Sequence, residues 1–156
     1  MKFIKLTQGK QAIVDDEDFE RLSKNKWYFC FGYATRAFWL KEKKKQIKIL
    51  MHREVLNNSD KREVDHINHN KIDNRKQNLR FCSHRQNLIN VPISKRNTSG
   101  YKGVIWEGRK NKWVVYVRHH GKDKFGGYFI DKKTAAKSYN KLALKYFGEF
   151  ACINNI

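Results

Sequence analysis

Residues 64–87, VDHINHNKIDNRKQNLRFCSHRQN, are dense in aspartate, histidine and asparagine. These side chains suit hydrolysis of a phosphodiester. That reaction needs a hard divalent cation on oxygen ligands, a base for the attacking water, and an element that fixes both. Asp65 offers an anionic oxygen and Asn87 a neutral one, while His66 carries an imidazole that titrates near neutrality. His84, about one helical turn before Asn87, is a rival second ligand. The plain alternative is a polar turn with no chemistry.

The elements around these residues must solve a geometric problem. Neighbours along a strand point to opposite faces, so Asp65 and His66 are expected where a strand gives way to a loop. Asn68, Asn70, Asp73 and Asn74 are turn-prone and supply the loop, and residues 79–81 then pair back as a second strand. Ser83 is placed to cap a short helix that carries Asn87.

Residues 51–90, with the His52-Arg53 pair near their start, resemble the HNH endonucleases, above all the phage and intron homing type. In that family a strand ending in Asp-His, a loop, a second strand opened by Asn-Leu-Arg, and a helix enclose one metal ion. The resemblance implies that His66 is the general base, that Asp65 and Asn87 are metal ligands, and that Asn78 ties the loop together through backbone hydrogen bonds. It further implies one Mg²⁺ or Mn²⁺ ion and products with 5′-phosphate and 3′-hydroxyl ends. Asn87 stands where many members have histidine, which favours these hard ions over softer metals. His52 and Arg80 are candidate DNA contacts.

Upstream, apolar residues alternate around Phe3, Ile4 and Leu6 and again over residues 12–14, with Gly9 and Lys10 between, as in a hairpin. The acidic cluster 15–18 marks the start of a short helix, since carboxylates favour a helix N-terminus. Trp27, Tyr28, Phe29, Phe31, Tyr33, Phe38 and Trp39 read as core-forming strands broken by Gly32. The lysine-rich run 41–45 reads as a solvated hairpin tip, and residues 47–51 as one more strand.

Residues 91–100 turn polar and hold the only proline, Pro92, which marks a basic linker between a region at 1–90 and a domain at 101–156. In that last domain, strands over 103–106, 113–118 and 124–129 form an antiparallel sheet with Gly108 and Gly121 in the turns. Asp131 then caps a helix with apolar side chains at helical spacing, and Gly148 ends it. One sheet face is packed on the helix and the other is left open.

This pattern, from Tyr101-Lys102-Gly103-Val104 through Lys112-Trp113 and Gly127-Tyr128-Phe129 to Ile153-Asn154, resembles the plant ethylene-response-factor (Apetala-type) DNA-binding domain. The resemblance implies a sheet that lies in the major groove. It places Lys102, Trp106, Tyr116, Arg118 and Phe125 on the exposed face, with Lys112 and Lys124 at phosphates. Ile105 and Glu107 stand where the plant proteins tend to have arginines, so base preference does not transfer.

Charge agrees with a polyanionic partner. Lys and Arg number 34 against 15 acidic residues, a formal net charge of +19. Both halves share it, with 20 basic and 11 acidic residues over 1–94 and 14 and 4 over 95–156. Composition alone also fits an RNA-binding or membrane-surface protein, although no apolar run approaches the ~20 residues of a spanning helix and no signal-peptide core is present. Cys30, Cys82 and Cys152 lack any metal or redox spacing and read as free thiols. The expectation is an intracellular, soluble α+β protein. It joins a strand-rich N-terminal region and ββα-metal nuclease to a sheet-plus-helix reader, acts on double-stranded DNA, and is a monomer in preference to a dimer. A DNA-binding regulator with an inactive nuclease centre is the alternative.

Overall fold

The computed structural model describes residues 1–57 and 62–156, so part of the span that resembles the HNH nucleases, residues 58–61, lies outside the described residues. The fold is mixed α and β, built from small sheets and few helices. Two compact units divide the chain, Met1–His84 and Arg85–Ile156.

In the first unit, β1 (Lys2–Lys5) and β2 (Gln11–Val14) form an antiparallel hairpin, with Ile4, Ala12 and Val14 turned inward. Helix α1 (Asp16–Ser23) opens with Asp16, Glu17 and Asp18 in its first turn and buries Leu22, whose carbonyl accepts a hydrogen bond from the Trp27 indole. Next comes a three-stranded antiparallel sheet in sequential order, β3 (Tyr28–Cys30), β4 (Tyr33–Leu40) and β5 (Lys45–Leu50).

The strand expected to run through residue 51 stops at Leu50, because Met51 opens a five-residue helix, α2 (Met51–Val55). Met51, His52 and Val55 are buried, at helical rather than alternating spacing, so burial and not propensity holds this turn. Strands β6 (Glu63–His66) and β7 (Leu79–Cys82) pair antiparallel, with Asp65 opposite Arg80 and His66 opposite Leu79, and α3 (His84–Ile89) follows. One apolar cluster ties these pieces together, drawing Val14, Leu22, Trp27, Met51, Val55, Val64 and Leu79 from every layer of the unit.

The second unit is a sheet of order β10-β9-β8, made of β8 (Val104–Glu107), β9 (Lys112–His119) and β10 (Lys122–Phe129), with α4 (Lys132–Phe147) on one face. Asp131 caps α4 by accepting from the Thr134 amide at 2.7 Å, and Gly148 ends it with φ 54°. Asn154 fastens the chain after α4 to the start of β8: its side chain bonds both the amide and the carbonyl of Lys102, while its backbone bonds the Asn140 amide group.

Gly103 has φ 70°, and a Cβ there would stand 2.1 Å from the ring of Tyr139, which lies in the core between helix and sheet. Gly103→Ala therefore combines left-handed strain with overpacking and is expected to cost about 2 to 4 kcal/mol. Thermal unfolding checks this, and a fall in Tm of less than a few degrees would refute it.

Candidate active site

The loop between β6 and β7 is organised by its polar side chains. The Asn78 side chain accepts from the Asn68 amide at 3.0 Å and donates to the Asp73 carbonyl at 2.8 Å, and its own carbonyl accepts from the Ile67 amide. Both ends of the loop are thereby held by one residue. Asp73, also buried, receives two bonds from the Arg75 guanidinium and one from the Asn68 side chain. The Arg75 guanidinium, foremost, keeps the Asp73 carboxyl ionised below the ordinary aspartate range.

The loop is stitched to the N-terminal hairpin as well. The Ile13 amide donates to the Ile72 carbonyl and the Asn74 amide donates to the Ile13 carbonyl, each at 2.8 Å. This fixes Asn74, whose side-chain nitrogen donates to the Ile72 carbonyl at 3.1 Å while Oδ1 lies 3.5 Å from His66 Nε2. With its amide nitrogen engaged elsewhere, Asn74 presents an acceptor to the imidazole. That contact helps to orient the His66 ring.

His66 is buried against His52 and Tyr33, with ring centroids 5.0 and 6.1 Å away. Burial, its largest cause, lowers the pKa of His66, and the Asn74 bond and Asp65 partly oppose this. Asp65, on the neighbouring position of β6, meets its cross-strand partner Arg80, whose Nε and Nη2 reach Oδ2 at 3.0 and 2.8 Å. The expected strand end is thus where the pair sits, with His66 the last residue of β6.

His52 was expected among the DNA contacts, but at 4 % exposure its ring faces His66 and Tyr33 rather than solvent. The Arg80 guanidinium is likewise directed at Asp65. His84 Nδ1 lies 2.7 Å from the Glu63 carboxylate. Asn87 lies on α3, whose residues from Arg85 onward group with the second unit. Sequence reasoning missed Asn74 as an orienting group and Tyr33 as a wall of the site. Only the asparagine had a local signal, and it read as turn chemistry.

Burial pushes the His52 pKa down to about 3, with the neighbouring His66 and Arg53 adding to the effect. The folded value is below the unfolded one near 6.5, so the stability this neutral ring contributes is complete above that pH and drains away as pH falls towards 3. By pH 5 the loss from His52 alone is about 2 kcal/mol. Urea unfolding at pH 7 and pH 5 should show a much smaller acid loss in His52→Phe than in the natural chain, and equal losses would refute the assignment.

In the second unit, Tyr116 and Phe125 pair across the open face with ring centroids 5.7 Å apart, and Arg118 on the same face is held in a two-point ion pair by Asp123. Trp106 departs from the expected face. It pairs with Trp113, which packs on the helix-side core, so alternation carries Trp106 to the helix side, at the sheet edge. Lys124 also leans to that side, over the Tyr146 ring of α4. The Lys102 ammonium lies on the carbonyls of Ile89 and Val91, and Lys112 is exposed at the start of β9. A register shift between Phe125 and Gly127 turns Tyr128 outward beside Phe125, which strict alternation from sequence hides.

The chain is similar to an HNH endonuclease. An uncharacterized HNH endonuclease of Acanthamoeba polyphaga mimivirus shares 28% identity over 151 residues, 96% of this chain and 77% of that protein. Protein 3.8 of Escherichia phage T7 shares 36% identity over 59 residues, which is 38% of this chain and 49% of that protein. No family model and no solved structure matches. A likeness over almost the whole chain supports a nuclease, and hence a hydrolase. Among the described residues no helix is long and apolar enough to cross a membrane.

Proposed function

We propose that the chain is a site-specific DNA endonuclease of the homing type that hydrolyses phosphodiester bonds with one divalent metal ion. The observation that carries this reading is the buried imidazole of His66, with Asn74 Oδ1 3.5 Å from its Nε2, where β6 enters a loop clamped by Asn78. His66 takes the proton of the attacking water. Burial lowers its pKa, which favours the neutral ring that a base needs.

Asp65 and Asn87 are the residues that would hold the cation, which stabilises charge on the phosphate and the leaving oxygen when bound. The donors fit in kind, since a carboxylate and an amide are hard oxygen ligands suited to Mg²⁺ or Mn²⁺. They are few: among the described residues no group of three or more His, Cys, Asp or Glu is placed to hold a metal. Phosphate and water would have to complete the coordination, as is common for Mg²⁺. The same scarcity favours one rival, a DNA-binding regulator with an inactive centre.

In this reading residues 1–90 form the nuclease region, 91–100 the linker and 101–156 a reader of duplex DNA, the whole acting as a monomer. Tyr116, Phe125 and Arg118 lie at bases and Lys112 at phosphate. Nicking of supercoiled plasmid with Mg²⁺ or Mn²⁺, set against the same reaction in chelator, tests the proposal. Duplex binding with no nicking under either metal would leave the regulator.

A further inference from the structure

Phe31 occupies a position that the fold does not ask of it. It and Gly32 form the two-residue turn between β3 and β4, closed by the Cys30–Tyr33 pair, and both have positive φ, 48° and 89°. Such turns favour asparagine or glycine at the first position, where a bulky side chain is strained. The other non-glycine residues with positive φ among those described are Gln8, Lys44, Asn57, His69, Asn111 and His120, all polar. Phe31 alone is apolar, and it is 90 % exposed. Packing therefore gains almost nothing from a side chain that costs backbone strain, a combination that marks functional positions.

Its surroundings say what it meets. Tyr33, two residues on, lies against the rings of His52 and His66 and beneath the Lys71 ammonium, 4.5 Å from its ring centroid. The Lys71 chain also borders the turn, since a Cβ on Gly32 would be 3.3 Å from its Cδ. Two residues span at most about 7 Å, roughly two base-pair steps. An exposed ring thus stands that far along the chain from the wall of the candidate base, beside a lysine, in a unit with 19 basic and 11 acidic residues over 1–84.

We propose that Phe31 is a wedge that enters duplex DNA at a base step beside the phosphodiester presented to His66, unstacking it and fixing the register of the cleaved strand. The inference rests on the endonuclease reading. A rigid two-residue turn suits this use, because an apolar side chain inserted between bases must resist the stack it opens. The strained backbone holds the exposed ring in place, and the Lys71 ammonium, over the Tyr33 ring, meets the backbone phosphate.

The test compares the natural chain with Phe31→Asn, which suits the turn. One probe is supercoiled plasmid with Mn²⁺. The other is a 30-base-pair duplex with 2-aminopurine spread along it, in Ca²⁺, where fluorescence reports unstacking wherever the protein sits. Phe31→Asn should raise Tm by about 4 °C through relief of strain. It should also lose the fluorescence rise and nick about 10-fold more slowly, with the rate recovered on a duplex already opened by a mismatch.

Unchanged nicking and fluorescence in Phe31→Asn would overturn the wedge while leaving the endonuclease in place. A natural chain that unstacks the duplex but never nicks would remove the endonuclease, and with it the register role, and leave only insertion of the ring. A lowered Tm would assign Phe31 to the fold, and a change of oligomeric state in light scattering would assign it to a contact between copies. Either result overturns the proposal.

Discussion

Replacing His66 with alanine should slow plasmid nicking by about 100- to 10,000-fold while leaving duplex affinity within a few-fold. A positioned base contributes that much to rate, whereas phosphate contacts elsewhere carry most of the binding. His66 is buried against His52 and Tyr33, so the truncation also leaves a cavity. His66→Gln fills much of that space and keeps an amide to meet Asn74, yet cannot cycle a proton. Equal loss in both variants, each shown folded by circular dichroism, assigns the defect to proton transfer. Full activity in His66→Gln would remove the imidazole from the chemistry.

The second large effect concerns stability. Arg80 and Asp65 form a nearly buried ion pair, with side-chain exposures of 11 and 7 %. Arg80→Met deprives a buried carboxylate of the guanidinium opposite it and should cost about 3 to 5 kcal/mol, whereas Arg80→Met combined with Asp65→Asn should recover most of that. Urea midpoints of the natural chain, the two single variants and the double variant measure the coupling. Additive losses would show that the two side chains act independently. Since Asp65 is also the proposed metal ligand, the single variant separates what Arg80 does for the fold from what Asp65 does for the reaction.

The distribution of what could be read beforehand follows from the range of the interactions. The N-terminal hairpin, the aromatic strands on either side of Gly32, the three strands of the second unit and the helix capped by Asp131 are written in local periodicity and turn chemistry. The placement of Asp65 and His66 at the end of β6 followed from strand geometry. The two-unit division at His84 and the helix at residues 51–55 follow from packing between distant segments, which periodicity does not carry. Asn74 escaped for a related reason. An asparagine in a turn-rich loop looks like any other, and its role appears only once Ile13 and Ile72 hold it against an imidazole eight positions away. On the sheet, Trp106 departs from its expected face and Tyr128 joins the open one, because register and a bulge, not alternation alone, decide them.

The pair of backbone hydrogen bonds made by Ile13 has a wider bearing. A ribbon with no reactive group of its own supports the amide that lies against a distant imidazole. Shortening or re-registering that ribbon by one residue would leave Asp65, His66 and Asn78 in the sequence and remove the support under Asn74. Inheritance of an intact Asp-His-Asn series is therefore insufficient evidence of a working nuclease. The opening fourteen residues have to be checked with it.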